Sequence, residues 1–238
     1  MGKKMLILPD IHARPFWKDA VERHSDDVSK IVFLGDYLDP YPWEGFTRKD
    51  AIRNFQEIID FKTENKDKVI LLLGNHDFPY IDKRRFYSRC RYDSSNAFHI
   101  EEMFRSHRSL FDLAHEETVG ERHILFTHAG LQKGWYDKHK DLIGELTVDG
   151  LNHLQDISSG IAALCEVTRI RGGWERYASI VWNDVTETPE TINEGLPWNY
   201  QVFGHSQQEE HPVITKQFAC LDCRKGFILN EEGNFEMC

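Results

Sequence analysis

Along this chain, short unbroken apolar runs alternate with longer stretches in which apolar residues recur every three or four positions. The runs are "KMLIL", "KIVFLG", "KVILLLG", "HILFT", "SIVW", "YQVFG", "PVITKQFACL" and "KGFIL", and their lengths and composition are those of strands. The one-sided stripes predict helices. The clearest runs from Thr47 to about Asn65, with Ala51, Ile52, Phe55, Ile58 and Ile59 on one face and Thr47 as its cap. Others are predicted from about Ile100 to Phe111 and from Asp149 to about Cys165. Strand and helix alternate in the first half, and strands with short turns such as "NEEGN" fill the C-terminal stretch. That order predicts an α/β sandwich with a mixed sheet. With no repeat, low-complexity tract or linker, the chain reads as one domain over residues 1–238.

Several of these runs end in an unusual way. "MLILP" delivers Asp10 and His12, "IVFLG" Asp36 and Asp39, and "VILLLG" Asn75 and His76; "HILFT" delivers His128 and "YQVFG" His205. Open α/β sheets gather their sites at the carboxyl ends of strands. Any one of these residues alone is an ordinary turn acid or a satisfied histidine. Turn chemistry, however, has no reason to choose imidazole at His12, His76, His128 and His205, whereas metal binding does. The set holds no thiolate, against a cysteine-rich structural zinc site, and is too rich in histidine for calcium or magnesium. Asp10, His12, Asp36, Asn75, His128 and His205 exceed what one tetrahedral ion needs. A pair of ions sharing one carboxylate uses them all.

Composition narrows the classes. A 238-residue chain with 40% hydrophobic and 12% aromatic residues is globular. Its formal net charge of −10 disfavours broad nucleic-acid binding. No apolar run is long enough to cross a bilayer. The start "MGKKMLILPD" lacks the pattern of a signal peptide and the Ser/Thr of a myristoylation site, so a cytoplasmic location is expected. Five scattered cysteines form no disulfide framework, and the lone C-x-x-C of "CLDC" reads as small core residues.

In combination, "DIH", "GDYLD", "GNHD", "THAGL" and "FGHS", in this order over residues 10–206, resemble the calcineurin-like metallophosphoesterase superfamily. "GDYLD", "HAGL" and "IVWND" are similar to its phosphoprotein phosphatase and symmetrical dinucleoside-tetraphosphate hydrolase branch. The resemblance implies a metallophosphoesterase-type β-sandwich of mixed sheets flanked by helices. It also implies two divalent transition-metal ions, expected to be Mn²⁺, with iron or Zn²⁺ as alternatives. Asp10 and His12 would hold one ion, Asn75, His128 and His205 the other, and Asp36 both. His76 would be the general acid, its second ring nitrogen held by Asp39, while a metal-bridging hydroxide attacks phosphorus; Asp77 would brace the loop or serve as a turn acid.

Two departures bear on substrate. Pro40 stands where those phosphatases carry a phosphate-gripping Arg, and residues 184–204 contain no Arg at all. Arg14, or Arg84 and Arg85 in "DKRRFYSRCR", are the candidate replacements. The expected reaction is hydrolysis of a phosphomonoester, of a small molecule or nucleotide before a phosphoprotein, with no membrane partner. A nucleotide pyrophosphohydrolase or phosphodiesterase, with Tyr41, Trp43 and Phe46 stacking on a base, is the alternative enzyme; a catalytically inactive protein-binding scaffold is the alternative of another class.

Overall fold

Met5–Leu8 (β1), Lys30–Phe33 (β2) and Val69–Leu72 (β3) are short apolar runs that pair in parallel, β1 on β2 and β2 on β3. Continuous apolar sequence suits them, because parallel strands are buried on both faces, and almost every residue in them is buried. The computed structural model describes residues 4–82 and 90–238, and the chain separates into two units.

The first unit comprises the described residues up to Asp112 together with Arg224–Cys238. Its mixed sheet adds Phe111–Asp112 (β4) beside β3, and Phe227–Leu229 (β10) and Phe235–Met237 (β11) antiparallel beyond β1. Phe16–His24 (α1) and Arg48–Glu64 (α2) connect the parallel strands. α2 starts where the sequence places it: the Asp50 N–H donates to Thr47 Oγ1 and the Thr47 N–H to the Asp50 carboxylate, a reciprocal cap. Its apolar stripe of Ala51, Phe55, Ile58 and Ile59 is buried. Trp17 on α1 donates its indole N–H to Asn54 on α2 at 2.9 Å, tying the two helices. Phe78–Ile81 (α3) and Ala97–Ser106 (α4) complete this unit's helices among the described residues.

The second unit is Leu113–Cys223. Ala114–Val119 (β5) and Arg122–Thr127 (β6) form an antiparallel hairpin; Tyr200–Phe203 (β7) pairs parallel with β6, and Phe218–Cys220 (β9) parallel with β7. Val213–Ile214 (β8) closes the edge antiparallel to β9. Lys133–Ile143 (α5), Val148–His153 (α6) and Ser158–Leu164 (α7) lie in the sequence between β6 and β7. The α/β class with two mixed sheets and helices is thus as expected.

The elements depart from the sequence pattern at four places. "SIVW" is a turn, not a strand: the Trp182 and Asn183 N–H groups both donate to the Ser179 carbonyl, and the Ser179 hydroxyl donates to the Leu164 carbonyl. Its apolar side chains are buried without a ladder. "PVITKQFACL" is two strands, because Thr215 reverses the chain by bonding to the Phe218 carbonyl. The helix expected from Asp149 to about Cys165 is broken into α6, a 3₁₀ turn at Leu154–Asp156, and α7. Gly160 allows that break, since a Cβ there would lie 2.2 Å from the Leu154 carbonyl oxygen. The helix expected from about Ile100 to Phe111 begins at Ala97 and ends at Ser106. The pattern also passed over α1, α5, β5 and the short strands β4 and β11.

Gln201 lies at the middle of β7, fully buried, and its amide closes a pair of hydrogen bonds with Leu131: it accepts the Leu131 N–H at 2.7 Å and donates to the Leu131 carbonyl at 3.1 Å. Gln201→Leu should therefore destabilise the protein by about 2–4 kcal/mol despite the added apolar surface, because two buried backbone groups lose their partners. Urea unfolding of the two proteins side by side checks this; equal midpoints would refute it.

Candidate metal centre

In the first unit the backbones beyond β1 and β2 stay paired after the strands end. The Leu34 N–H donates to the Leu8 carbonyl at 3.0 Å, His12 to Asp36 at 2.6 Å, and Ala13 to Tyr37 at 3.1 Å. The chain reaches this path through left-handed backbone at Asp10, His12, Ala13, Asp36 and Asp39, with φ between 32° and 67°. Non-glycine residues adopt that region at a cost of about 1–3 kcal/mol each, and they cluster where function requires it. Gly35 and Gly74 let the β2 and β3 tips meet: a Cβ on Gly35 would lie 2.4 Å from the Gly74 nitrogen, and one on Gly74 would lie 2.2 Å from an Asp36 carboxylate oxygen. The "GD" and "GN" pairs are dictated by this close approach.

Asp77 fastens the two tips together. Its carboxylate accepts the N–H groups of Gly74 at 2.8 Å, Asp36 at 3.0 Å and Tyr37 at 3.2 Å. Burial, then the nearby Asp36 charge, push the Asp77 carboxyl up, and the three amides act in the opposite sense. Asp77 is a brace, as the sequence allowed.

Asp36 is held from both sides. One carboxylate oxygen accepts the His76 N–H at 2.9 Å, and the other lies 3.4 Å from His12 Nε2. The remaining His12 nitrogen, Nδ1, is 2.9 Å from the Leu38 carbonyl. Nδ1 also lies 3.2 Å from Arg91 Nη2, which can only donate, but the carbonyl is the nearer and can only accept, so Nδ1 is assigned the proton and Nε2 the lone pair on the Asp36 side. Burial, opposed by the hydrogen bond and charge of Asp36, lowers the His12 pKa to about 4, so the ring is neutral near pH 7. His12, Asp36 and His76 bring one donor atom each within 4.8 Å of one another, all buried. Asp10 and Asn75, on the same strand tips, are buried as well. Imidazole nitrogen with carboxylate oxygen, and no thiolate in the group, fits a divalent cation of intermediate softness. Cys90 beside Asn75 does not alter this: its S–H reaches the Asn75 carbonyl at 3.5 Å, and burial raises the thiol's pKa.

His76 and Asp39 come together as expected, Nδ1 to Oδ2 at 2.8 Å. The sequence reading missed what stands behind them. The Tyr80 hydroxyl donates to the other Asp39 oxygen at 2.6 Å and itself accepts the Asp93 N–H at 2.7 Å. Burial, then the Asp39 charge, raise the tyrosine's pKa far above its ordinary value, so it stays a donor. Tyr80 follows His76 by four residues in "HDFPY", its one local signal in the sequence. Arg91, the last residue of the run "DKRRFYSRCR", was not singled out within it: its Nε and Nη2 donate to the Asp39 carbonyl at 3.0 and 2.8 Å, and its guanidinium lies 3.6 Å from the Tyr41 ring centre.

Arg14 is buried, its Nε and Nη2 bonded to Glu44 at 2.9 and 3.0 Å and its Nη1 to the Asp10 carbonyl at 2.8 Å. The other two arginines proposed for substrate, Arg84 and Arg85, lie outside the described residues.

In the second unit, His128 and His205 follow the parallel neighbours β6 and β7, and the Gly204 N–H donates to the His128 carbonyl at 2.8 Å. Their ring nitrogens, Nε2 and Nδ1, are 3.1 Å apart in a buried setting. His205 is again left-handed, with φ 64°. Arg171 stands against this turn, bonded to Ser206 Oγ at 2.9 Å and to Asp184 at 2.6 Å. Burial opposes ionisation of Asp184, but the Thr186 hydroxyl and N–H, with Arg171, hold its carboxyl below the usual range. The Asn183 side chain of "IVWND" donates to the Ala129 carbonyl of "THAGL", joining two of the motifs. Cys220 and Cys223 are buried thiols, as the reading of "CLDC" expected.

These features recur in known proteins. The chain matches the calcineurin-like phosphoesterases over residues 3–208 and belongs to that family. It is therefore a metal-dependent phosphoesterase, of a family that implies a dinuclear divalent-metal centre, and its His/Asp groups fit one. Among solved structures, a cold-active protein tyrosine phosphatase is similar with a TM-score of 0.65 and 17% identity, over 100% of this chain and 79% of its own. A hypothetical protein from Pyrococcus horikoshii OT3 is similar with a TM-score of 0.52 and 9% identity, over 99% of this chain and 86% of its own. At such identities the likeness is one of fold. No helix among the described residues is long and apolar enough to cross a membrane.

Two outcomes follow from this geometry. Asp77→Asn leaves a single oxygen for three amides, so Asp36 should lose its fixed position and divalent-metal affinity should fall about 10–100-fold; calorimetric titration with Mn²⁺ measures it, and unchanged affinity would remove Asp77 from the account. The second concerns pH in the metal-free protein. Unfolded, the His12 ring takes a proton near 6.5; folded, only near 4. Between those values the unfolded chain holds more protons, so the His12 contribution to stability is full above about 6.5 and is lost as pH falls to about 4, by up to about 1.4 kcal/mol per pH unit. The raised Asp77 carboxyl contributes with the opposite sign. The stability difference between wild type and His12→Asn, followed over this range in chelator, isolates the histidine. A difference that does not vary with pH would contradict the assignment.

Proposed function

We propose that the protein hydrolyses phosphomonoesters, of a small molecule or nucleotide before a phosphoprotein, with His76 as the general acid. The observation that carries this reading is the His76–Asp39 pair at 2.8 Å, set beside the His12–Asp36 group and backed by Tyr80. Asp10, His12 and Asp36 would hold one ion. Asn75, His128 and His205 are assigned to the second, with Asp36 shared, on the family resemblance, and the two units are proposed to work as one catalytic domain. We expect Mn²⁺ in both positions, which nitrogen and oxygen donors without thiolate suit, and a cytoplasmic location, which five free cysteines suit.

When bound, two divalent cations offset phosphoryl charge and supply the nucleophile from water. The chain's own residues do the rest. Asp39 accepts a hydrogen bond from His76 Nδ1–H, which aims Nε2–H at the leaving oxygen, the atom it would protonate. Tyr80 occupies the other Asp39 oxygen and keeps the carboxylate from rotating off the ring. Arg14 would reach a phosphate only by exchanging Glu44 for it, while Arg84 and Arg85 stay proposed contacts.

His76→Ala should lower kcat by about 10²–10⁴-fold on alkyl phosphates and by much less on nitrophenyl phosphate, with metal content unchanged. Tyr80→Phe should show the same leaving-group dependence in weaker form. Equal losses on both substrates would refute the acid. Asp36→Asn should lose both ions in elemental analysis; two retained ions with near-normal turnover would refute the shared ligand. Assaying metal-stripped enzyme with each divalent cation, on aryl phosphates, nucleotides, dinucleotides and a phosphotyrosine peptide, decides metal and substrate. Preference for the peptide would overturn the small-substrate assignment. KM values for Arg14→Ala and the Arg84/Arg85 double alanine variant locate the phosphate grip.

A further inference from the structure

The first unit contains a cavity of about 680 Å³ that the reaction described above does not use. This is within the range of small-molecule sites, about 300–1,000 Å³. Asp39, Tyr80 and Arg91 form part of its wall, but His12, Asp36, Asn75 and His76 do not. The bonding explains that division. His12 turns Nε2 toward Asp36 and its Nδ1 edge toward Arg91; His76 turns Nδ1 toward Asp39. The cavity therefore meets the two imidazoles from behind, through the groups that hold them.

Its donors and acceptors are unequally committed. Of the two carboxylates in the wall, Asp39 accepts from His76 and Tyr80, and Asp93 accepts from Arg48, Asn96 and the Ser95 and Asn96 N–H groups. The two guanidinium groups retain open edges. Arg91 spends Nε and Nη2 on the Asp39 carbonyl, and its Nη1 makes no hydrogen bond among the described residues. Arg48 uses only Nη1, on Asp93 and Ser95, leaving Nε and Nη2. With the acids satisfied and the arginines not, the polar side of the cavity favours an anion. Much of the rest is apolar: Leu38, Pro42, Phe46, Ala51 and Ile100.

We propose that this cavity binds a small organic anion with an aromatic or apolar body, its acidic group held between Arg91 and Arg48, and that occupancy alters turnover through Asp39. The second half rests on the proposed function; the first does not. An anion on Nη1 draws charge from the guanidinium whose other edge fixes the Asp39 backbone, so it acts on the orientation of His76 without entering the phosphoryl site. The effect belongs in kcat, not in KM for a small substrate.

The test uses 1-naphthoate with the full chain. Isothermal titration should show one saturable site in the wild type, weakened about tenfold or more in Arg48→Ala and weakened also in Phe46→Ala, with much weaker binding of neutral 1-naphthamide. Arg48→Lys should recover part of the loss. Arg48 and Phe46 are both at least partly exposed, so these variants should fold, and circular dichroism checks that they do. No binding to wild type, or equal binding by wild type and Arg48→Ala, overturns the site. In the kinetic arm, saturating naphthoate should change kcat for phenyl phosphate and leave KM within about twofold. A rise in KM alone, competitive with substrate, overturns the regulatory role, as does unchanged turnover at saturation. Calorimetry needs no turnover: if no phosphoester is hydrolysed, the proposed reaction fails while the binding result still decides the site.

Discussion

The carboxylate of Asp77 and the three amides it collects set the conditions for the rest of the first unit's site. Parallel strands end with peptide groups that have lost their partners, and the tips of β2 and β3 must also approach to near contact at Gly35 and Gly74. A carboxyl placed between them, with two acceptor oxygens, satisfies the Gly74, Asp36 and Tyr37 N–H groups at once. Each of these buried amides would cost about 1–3 kcal/mol if left without an acceptor. This is the scale needed to hold Asp36 left-handed beside four more such residues, at about 1–3 kcal/mol each. Without that tie, Asp36 has no reason to turn its carboxylate toward both His12 and the His76 amide.

Support then passes outward in layers, each fixing one degree of freedom of the layer before it. The Leu38 carbonyl fixes the His12 tautomer, so a neutral ring presents Nε2. Asp39 fixes His76, Tyr80 fixes Asp39, and the Asp93 amide fixes Tyr80. Burial is what makes the chain effective. It keeps the Tyr80 hydroxyl protonated and the His12 ring neutral, so each group stays in the single ionisation state in which its hydrogen bond runs in the required direction. The same burial makes a missing partner expensive, which is why positioning residues such as Tyr80 and Asp77 belong with the site and not with the general core.

What the sequence made legible follows from the physics of each feature. The strands β1, β2, β3, β6 and β7 were readable because buried parallel or central strands need continuous apolar runs. The residues at their tips were readable because imidazole and carboxylate are poor choices for plain turns. α2 was readable from its cap. Features set by distant partners were not. "SIVW" is as apolar as a strand, but Ser179 folds it into a turn by bonding to Leu164. Gly160 looks like an ordinary helix glycine until Leu154 is packed against it. Arg171 carries no local pattern, and the sequence around Tyr80 and Arg91 does not single them out, since their roles arise from residues 35, 41 and 52 positions away in the chain.

Arg14 and Arg91 show why a residue's neighbourhood in sequence is a weak guide to its use. Arg14 follows His12 by two residues and sits close to the metal-ligand group, yet Glu44 and the Asp10 carbonyl take up its donors. Its electrostatic work is to neutralise Glu44 and steady the left-handed Asp10. Arg91 ends the basic run that follows the β3 tip, yet stacks on Tyr41 and grips the Asp39 backbone with one edge only. A guanidinium is planar and rigid, so an edge that is anchored determines where the other edge points. In Arg91 the anchored edge holds the backbone of the group that orients the acid, and the same side chain lines the cavity. One side chain thereby couples the two places, and any ligand that engages it must do so at the expense of, or in concert with, the geometry of Asp39.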